Sequence, residues 1–225
     1  VPTASVSSSG WKRFFGVYLD PRAYTSLFYM LLTLATGILY FTIVVTGLSL
    51  SAGFAILIIG IPFFLAFIGI TRVIALGEGR LIEAVTGERM PRRPVHPGPA
   101  APWLSRIGEM LKDVRTWTTL LYLLLMLPLG IVYFTVTVTA LSVGLAFTLL
   151  PLVVVAKWLG WASDATLFAG DVHIGGWMLS DHSTVSALIL GILGVLIVTL
   201  FLHAARAVGR GHAHLAKALL VVPGG

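Results

Sequence analysis

Tyr29, Thr33, Gly37 and Tyr40 fall on one broad face of a helix, and Tyr122, Met126, Gly130 and Tyr133 set out the same face again further along the chain. Hydroxyls in an apolar helix bond across helix pairs, and small residues let two backbones approach closely. Two readings follow for Tyr29, Gly37, Tyr40, Tyr122, Gly130 and Tyr133. They form the seam along which two helices pack, or they line a pocket that takes a small ligand or a lipid. The seam is the plainer account, and one chain carries it twice.

Histidine and aspartate offer other chemistry. His203 lies near the inner end of the last apolar stretch, one turn before Arg206. An imidazole there can ligate the metal of a haem or chlorophyll, relay protons, or turn towards the headgroups beside Arg206. The last reading needs no cofactor, and none is expected. His212 and His214 are two apart and do not share a helical face, so they are not expected to hold a metal. Further out, Asp164, Asp171, His173, Asp181 and His182 occur with Trp158, Trp161 and Trp177. Such a set can bind a divalent cation or report external pH. Tryptophan also suits the membrane interface, so a solvated loop resting on that interface is the simpler reading. Trp161, Asp171, His173, Trp177, Asp181 and His182 are the candidates for an outer contact.

Other chemistry is missing from the pattern. There is no P-loop, dinucleotide fingerprint, GxSxG or HExxH. The chain has no cysteine, which removes disulfides, zinc–thiolate sites and thiol catalysis. The apolar stretches carry no acid or base apart from Arg72, His203 and Arg206 near their ends, and ion-coupled transporters normally bury such groups at mid-membrane. The expectation is a chain that is not an enzyme and holds no metal.

What positions these residues is a duplicated membrane unit. Residues 22–49 recur 93 positions later as 115–142, with sixteen of 28 aligned pairs identical. A second match pairs 71–85 with 205–219 at an offset of 134, with Arg72/Arg206, Gly77/Gly211 and Leu81/Leu215 in register. A hydrophobic fraction of 57%, a charged fraction of 11% and a mean hydropathy of +0.97 place the chain in a bilayer. Spans are expected at Tyr24–Thr46, Ala52–Ala75, Trp117–Thr139 and Thr184–Ala207, each close to the ~20 residues that cross the hydrocarbon core. Gly47–Ser51 reads as the outer turn of the first unit. Ser142–Leu159, interrupted by Pro151 and Lys157, reads as a separate interfacial or re-entrant helix, with a fifth span as the alternative. The paired segments 78–88 and 210–220 read as amphipathic helices on the inner leaflet, with Leu81, Ile82 and Val85 on one face.

Charge gives the orientation. Of 15 Lys and Arg residues, three precede the first span, eight lie from Arg72 to Arg115, and Arg206, Arg210 and Lys217 follow the last span. By the positive-inside rule both termini and the centre of the chain are cytoplasmic. The excess positive charge is then a topology signal beside anionic lipid, and nucleic acid is not an expected partner. The first twenty residues lack the apolar core of a signal peptide. The expected organisation is a cytoplasmic tail (1–21), a first membrane repeat (22–89), a Pro-rich linker (90–114) and a second repeat (115–222). The second repeat carries an extracytoplasmic insertion at 142–183. Both units enter from one side, so the repeat is parallel. The fold class is all-α, with four transmembrane helices in two parallel hairpins.

The run Arg115-x-Trp117, Tyr122-Leu-Leu, Leu127-Pro-Leu-Gly130, Tyr133-Phe134 and Val138-Thr-x-Leu-Ser142 resembles the putative sensor domain family of actinobacterial and related membrane proteins. ARAVGRGHAHLAKAL (205–219) is similar to that family's closing segment, and the resemblance extends from about Gly16 to Val221. It implies four spans in two similar halves in a bacterial inner membrane, often placed before a histidine kinase. This sequence ends at VVPGG with no dimerisation helix, phospho-acceptor histidine or ATP-binding domain. The resemblance therefore implies a stand-alone copy that signals through a partner. The alternative is an accessory subunit of a photosynthetic or respiratory complex, embedded among lipids and other membrane subunits. A small-molecule or lipid carrier is the weaker third.

Overall fold

Two aspartates 93 positions apart open the two repeats in the same way. Asp20 Oδ1 accepts from the Arg22 amide at 2.9 Å, and Asp113 Oδ1 accepts from the Arg115 amide at 3.0 Å. Each satisfies one of the amides that a helix start leaves without an internal partner. Pro21 follows Asp20 as the first helical residue, a position where no N–H is needed.

The computed structural model describes residues 14–55, 60–87, 112–161, 172–174, 177–179 and 184–220. A 3₁₀ turn, Gly16–Leu19, leads into helix α1 (Pro21–Phe54). Helices α2 (Gly60–Thr86), α3 (Val114–Trp158) and α4 (Thr184–Leu220) follow, with a hairpin of β1 (Val172–Ile174) and β2 (Trp177–Leu179) between the last two. Among the described residues, four helices are long and apolar enough to cross a bilayer. This is a multi-pass membrane protein. At 1.5 Å per residue the 45 residues of α3 reach about 67 Å, roughly twice the ~30 Å hydrocarbon thickness.

The helices stop later than the sequence suggests. Gly47–Ser51 is not a turn: α1 runs through it to Phe54, and the Ser51 hydroxyl donates to the Gly47 carbonyl at 2.6 Å inside the helix. Ser142–Leu159 is neither a separate interfacial helix nor a fifth span. It is the continuation of α3 as far as Trp158. There Gly160, at φ +71°, supplies the left-handed stop, with Gly160 N–H to Lys157 O and Trp161 N–H to Ala156 O both at 3.0 Å. The segments read as separate amphipathic helices are continuous with the spans before them, within α2 and α4. The hairpin adds a small antiparallel pair to the expected all-α class, with His173 opposite Met178 and Ile174 opposite Trp177.

The chain divides into two compact units. One comprises residues 1–23 and 136–204, the other 24–135 and 205–225. In the first, Leu150, Val154, Ala187 and Leu190 form a buried cluster with Phe147 against it. Gly191 leaves room there for the ring of Pro151, whose Cγ would lie 2.6 Å from any added Cβ. Tyr18 shares a 2.9 Å hydrogen bond with Thr199. In the second unit the core runs from Val44, Phe67 and Ile68 through Tyr29, Tyr122, Leu123 and Met126 to Ile82, Ala213 and Ala216. The ring of Phe67 occupies the space that a side chain at Gly47 would need.

Candidate functional site

Two contacts in the second unit mirror each other across the repeat. A Cβ on Gly37 would stand 2.5 Å from the Met126 carbonyl oxygen, and a Cβ on Gly130 would stand 2.5 Å from that of Thr33. Met126 is Thr33 advanced by 93 residues, and Gly130 is Gly37 advanced by the same amount. Helices α1 and α3 therefore meet backbone to backbone through their two glycines, the close approach that small residues permit.

Around this crossing lie the four paired tyrosines, and they converge on a carboxylate. Tyr29 Oη donates to Glu78 Oε1 at 2.6 Å, and Tyr40 Oη donates to Glu78 Oε2 at 2.8 Å. Tyr122 Oη lies 3.3 Å from Oε1. On the other side stands an imidazole: His212 Nε2 is 2.7 Å from Tyr29 Oη and 3.0 Å from Tyr122 Oη, and Nδ1 is 3.5 Å from Tyr133 Oη. The ring of His212 is walled by Tyr29, Tyr122 and Tyr133, with centroids at 5.1, 6.0 and 5.8 Å. Glu78 is wholly buried and His212 is 2% exposed.

The proton count orders the bonds. Tyr29 has one hydroxyl hydrogen, and the shortest bond gives it to Glu78. Its oxygen then accepts from His212 Nε2–H, so Nε2 carries a proton. Nδ1 is left to Tyr133, as acceptor if the imidazole is neutral and as donor if it is charged. Both carboxylate oxygens and both ring nitrogens have a partner, as burial of such groups requires.

Glu78 and His212 are themselves a repeat pair, since 78 advanced by 134 is 212. Each repeat thus supplies two tyrosines and one titratable group. Glu78 lies three residues beyond the expected span Ala52–Ala75, in the segment expected on the inner leaflet, yet it is wholly buried within α2. His212, which in the sequence stands out only beside His214, is buried here, while His214 is exposed on another face. The signal that finds both is the register of Gly77 with Gly211, one residue before each.

The other candidates lie elsewhere. In the first unit, His203 Nε2 is 3.0 Å from the Phe14 carbonyl oxygen and its ring stacks on Phe14 at 5.7 Å, so the nitrogen that would ligate a haem or pigment faces the backbone. Trp161 is exposed just beyond α3. His173 and Trp177 lie on the two strands of the hairpin, while Asp171, Asp181 and His182 lie outside the described residues. Among the described residues no group of three His, Cys, Asp or Glu could hold a metal ion.

The family described as "Putative sensor" matches residues 29–220, from the first tyrosine of the cluster to the last residue of α4. The chain belongs to this sensor family. No curated protein and no solved structure matches it. The family match encloses every member of the Glu78–His212 cluster.

Proposed function

We propose that this chain is a non-catalytic sensor module of a bacterial inner membrane, with both termini cytoplasmic, that acts through a partner protein. The observation that carries the reading is the Glu78–His212 cluster. It is sealed, its hydrogen bonds are satisfied, and it is drawn from four helices at the point where α1 and α3 cross. Ionisable groups held inside apolar helices are expensive and mark functional positions. Here the tyrosine hydroxyls are spent on Glu78 and His212, which suits a switch better than a reaction centre. A change at the cluster must alter the bonds that hold α1 and α3 together, and packed interfaces respond to such changes by shifting between discrete arrangements.

The test is co-purification in mild detergent after cross-linking in cells. Recovery of a histidine kinase or another regulator is the expected result. Stoichiometric recovery of pigment or redox proteins instead would overturn the signalling reading in favour of a structural subunit.

A further inference from the structure

We propose that Glu78 and His212 form a buried proton-binding site, in which the two groups share one proton through the hydroxyls of Tyr29 and Tyr122. The proposal deepens the sensor reading by naming the proton as the ligand, and it rests on that reading only for its purpose.

The geometry is a relay. Tyr29 Oη is within 2.6 Å of Glu78 Oε1 and 2.7 Å of His212 Nε2, so one hydroxyl faces both groups at hydrogen-bond distance. Transfer balances without any other reactant. The Nε2–H bond breaks as a new O–H bond forms on Tyr29, and the original Tyr29 O–H bond breaks as Glu78 Oε1 gains that hydrogen. Imidazolium and carboxylate become imidazole and carboxylic acid. Tyr122 Oη, at 3.0 Å from Nε2 and 3.3 Å from Oε1, offers a second and longer route.

Burial sets how many protons the pair holds. With one proton between them the site is neutral overall. With none it is a buried anion, with two a buried cation, and a lone ion away from water costs several kcal/mol. The groups hydrogen-bonded to the pair are tyrosines, which carry no charge to offset such an ion. Helix α1 contributes Tyr29 and Tyr40, and α3 contributes Tyr122 and Tyr133. On α2 and α4 themselves, Arg72, Arg80, Arg210, His214 and Lys217 are exposed, and Glu83 and Arg206 are half-buried. Burial therefore favours the one-proton, neutral state over either ion, and a second proton enters only as acid is added.

Protonating Glu78, whether through the relay or by a second proton, has a mechanical consequence. As a carboxylate, Glu78 accepts from Tyr29, Tyr40 and Tyr122. As a carboxylic acid it donates through its own O–H, so one of those three bonds must reverse its direction or be given up. These tyrosines flank the Gly37–Gly130 crossing on both helices, so a change in the bonds at Glu78 is felt where α1 and α3 pack.

Nuclear magnetic resonance of the full chain in lipid nanodiscs tests this, with ¹⁵N-histidine and ¹³C-glutamate labels followed from about pH 4 to pH 9. His212→Gln and Glu78→Gln assign the two signals. Interacting groups titrate as a pair, so the His212 ring and the Glu78 carboxyl are expected to change in a common step. In E78Q the remaining His212 step should be displaced by about one pH unit or more, since a neighbouring charge shifts a titration by about 1–3 units. Glu78→Asp keeps the charge and should hold the step nearer its original place. If E78Q does not fold, infrared difference spectra of the wild-type chain answer the question. A protonated-carboxyl band from a buried glutamic acid must appear on acidification and be altered in His212→Gln. Unlinked steps, an unmoved His212 step in E78Q, or no such band would overturn the proposal. These spectra need no partner, so their failure leaves the signalling reading standing, and loss of the partner in co-purification leaves the titration intact.

Discussion

Gly37→Ala isolates the helix crossing with the smallest possible side chain. The new Cβ would lie 2.5 Å from Met126 O, 2.9 Å from Met126 C and 3.0 Å from Leu127 Cα. All three are backbone atoms of α3, so no side-chain rotation relieves them. Carbon contacts are comfortable near ~3.5 Å, which requires α1 and α3 to separate by about 1 Å. Overpacking of this kind costs about 1–3 kcal/mol. Alanine recovers ~0.8–1 kcal/mol of helix propensity. With Glu78 held by Tyr29 and Tyr40 of α1, a 1 Å shift also carries its contact with Tyr122, already 3.3 Å, past hydrogen-bond range, for about 1 kcal/mol more. The net expectation is a loss of about 1–3 kcal/mol, and Leu in place of Gly37 or Gly130 should cost more. Gly77 is the control, because nothing lies within 4 Å of its added Cβ, and Gly77→Ala should stabilise by up to ~1 kcal/mol. Reversible unfolding of the purified chain in mixed detergent micelles measures both. Gly130→Ala should match Gly37→Ala, and the double variant should lose less than the sum, because one separation relieves both clashes. If Gly37→Ala stabilised the chain as Gly77→Ala does, or the two glycines were strictly additive, the backbone crossing would be wrong.

Tyr40→Phe removes the bond to Glu78 Oε2 and leaves a buried carboxylate oxygen unserved, so a loss of about 1–3 kcal/mol is expected in the same unfolding assay. The chain has no cysteine, so single cysteines at positions 8, 96 and 163 report sidedness; an impermeant thiol reagent on intact cells should label only the last, and labelling at 96 but not 163 would reverse the topology. Replacing 160–180 with a short Gly/Ser turn should abolish partner recovery while leaving stability in detergent intact, whereas a collapsed fold or an unchanged partner set would place the function elsewhere.

The membrane class was legible because hydropathy over twenty residues is a strong signal, and the seam glycines were legible because the repeat shows them twice. Helix ends were not, because the effect of a local breaker depends on the contacts that compensate for it. Ser51 bonds back to Gly47 within the helix, and Pro151 is accommodated against Gly191. A residue-by-residue reading cannot see either compensation. Glu78 was hidden for a different reason. Averaged hydropathy assigns a glutamate near a helix end to water, and only its three tyrosine partners, distant in sequence, reveal that it is buried. Tyrosines 29, 40, 122 and 133 announced polar company in the apolar region without saying what it was.

Positions 78 and 212 are the same place in the two repeats, yet one holds an acid and the other a base. Two copies of the first repeat, paired as these halves are, would bring two carboxylates among the tyrosines. Two copies of the second would bring two imidazoles. Either pairing sets like groups against each other in a buried site, in place of an acid facing a base, which is how a partner is rejected as well as chosen. The halves have therefore ceased to be interchangeable. A free-standing first repeat would not self-associate into this arrangement, and each half is specified by the chemistry of the other.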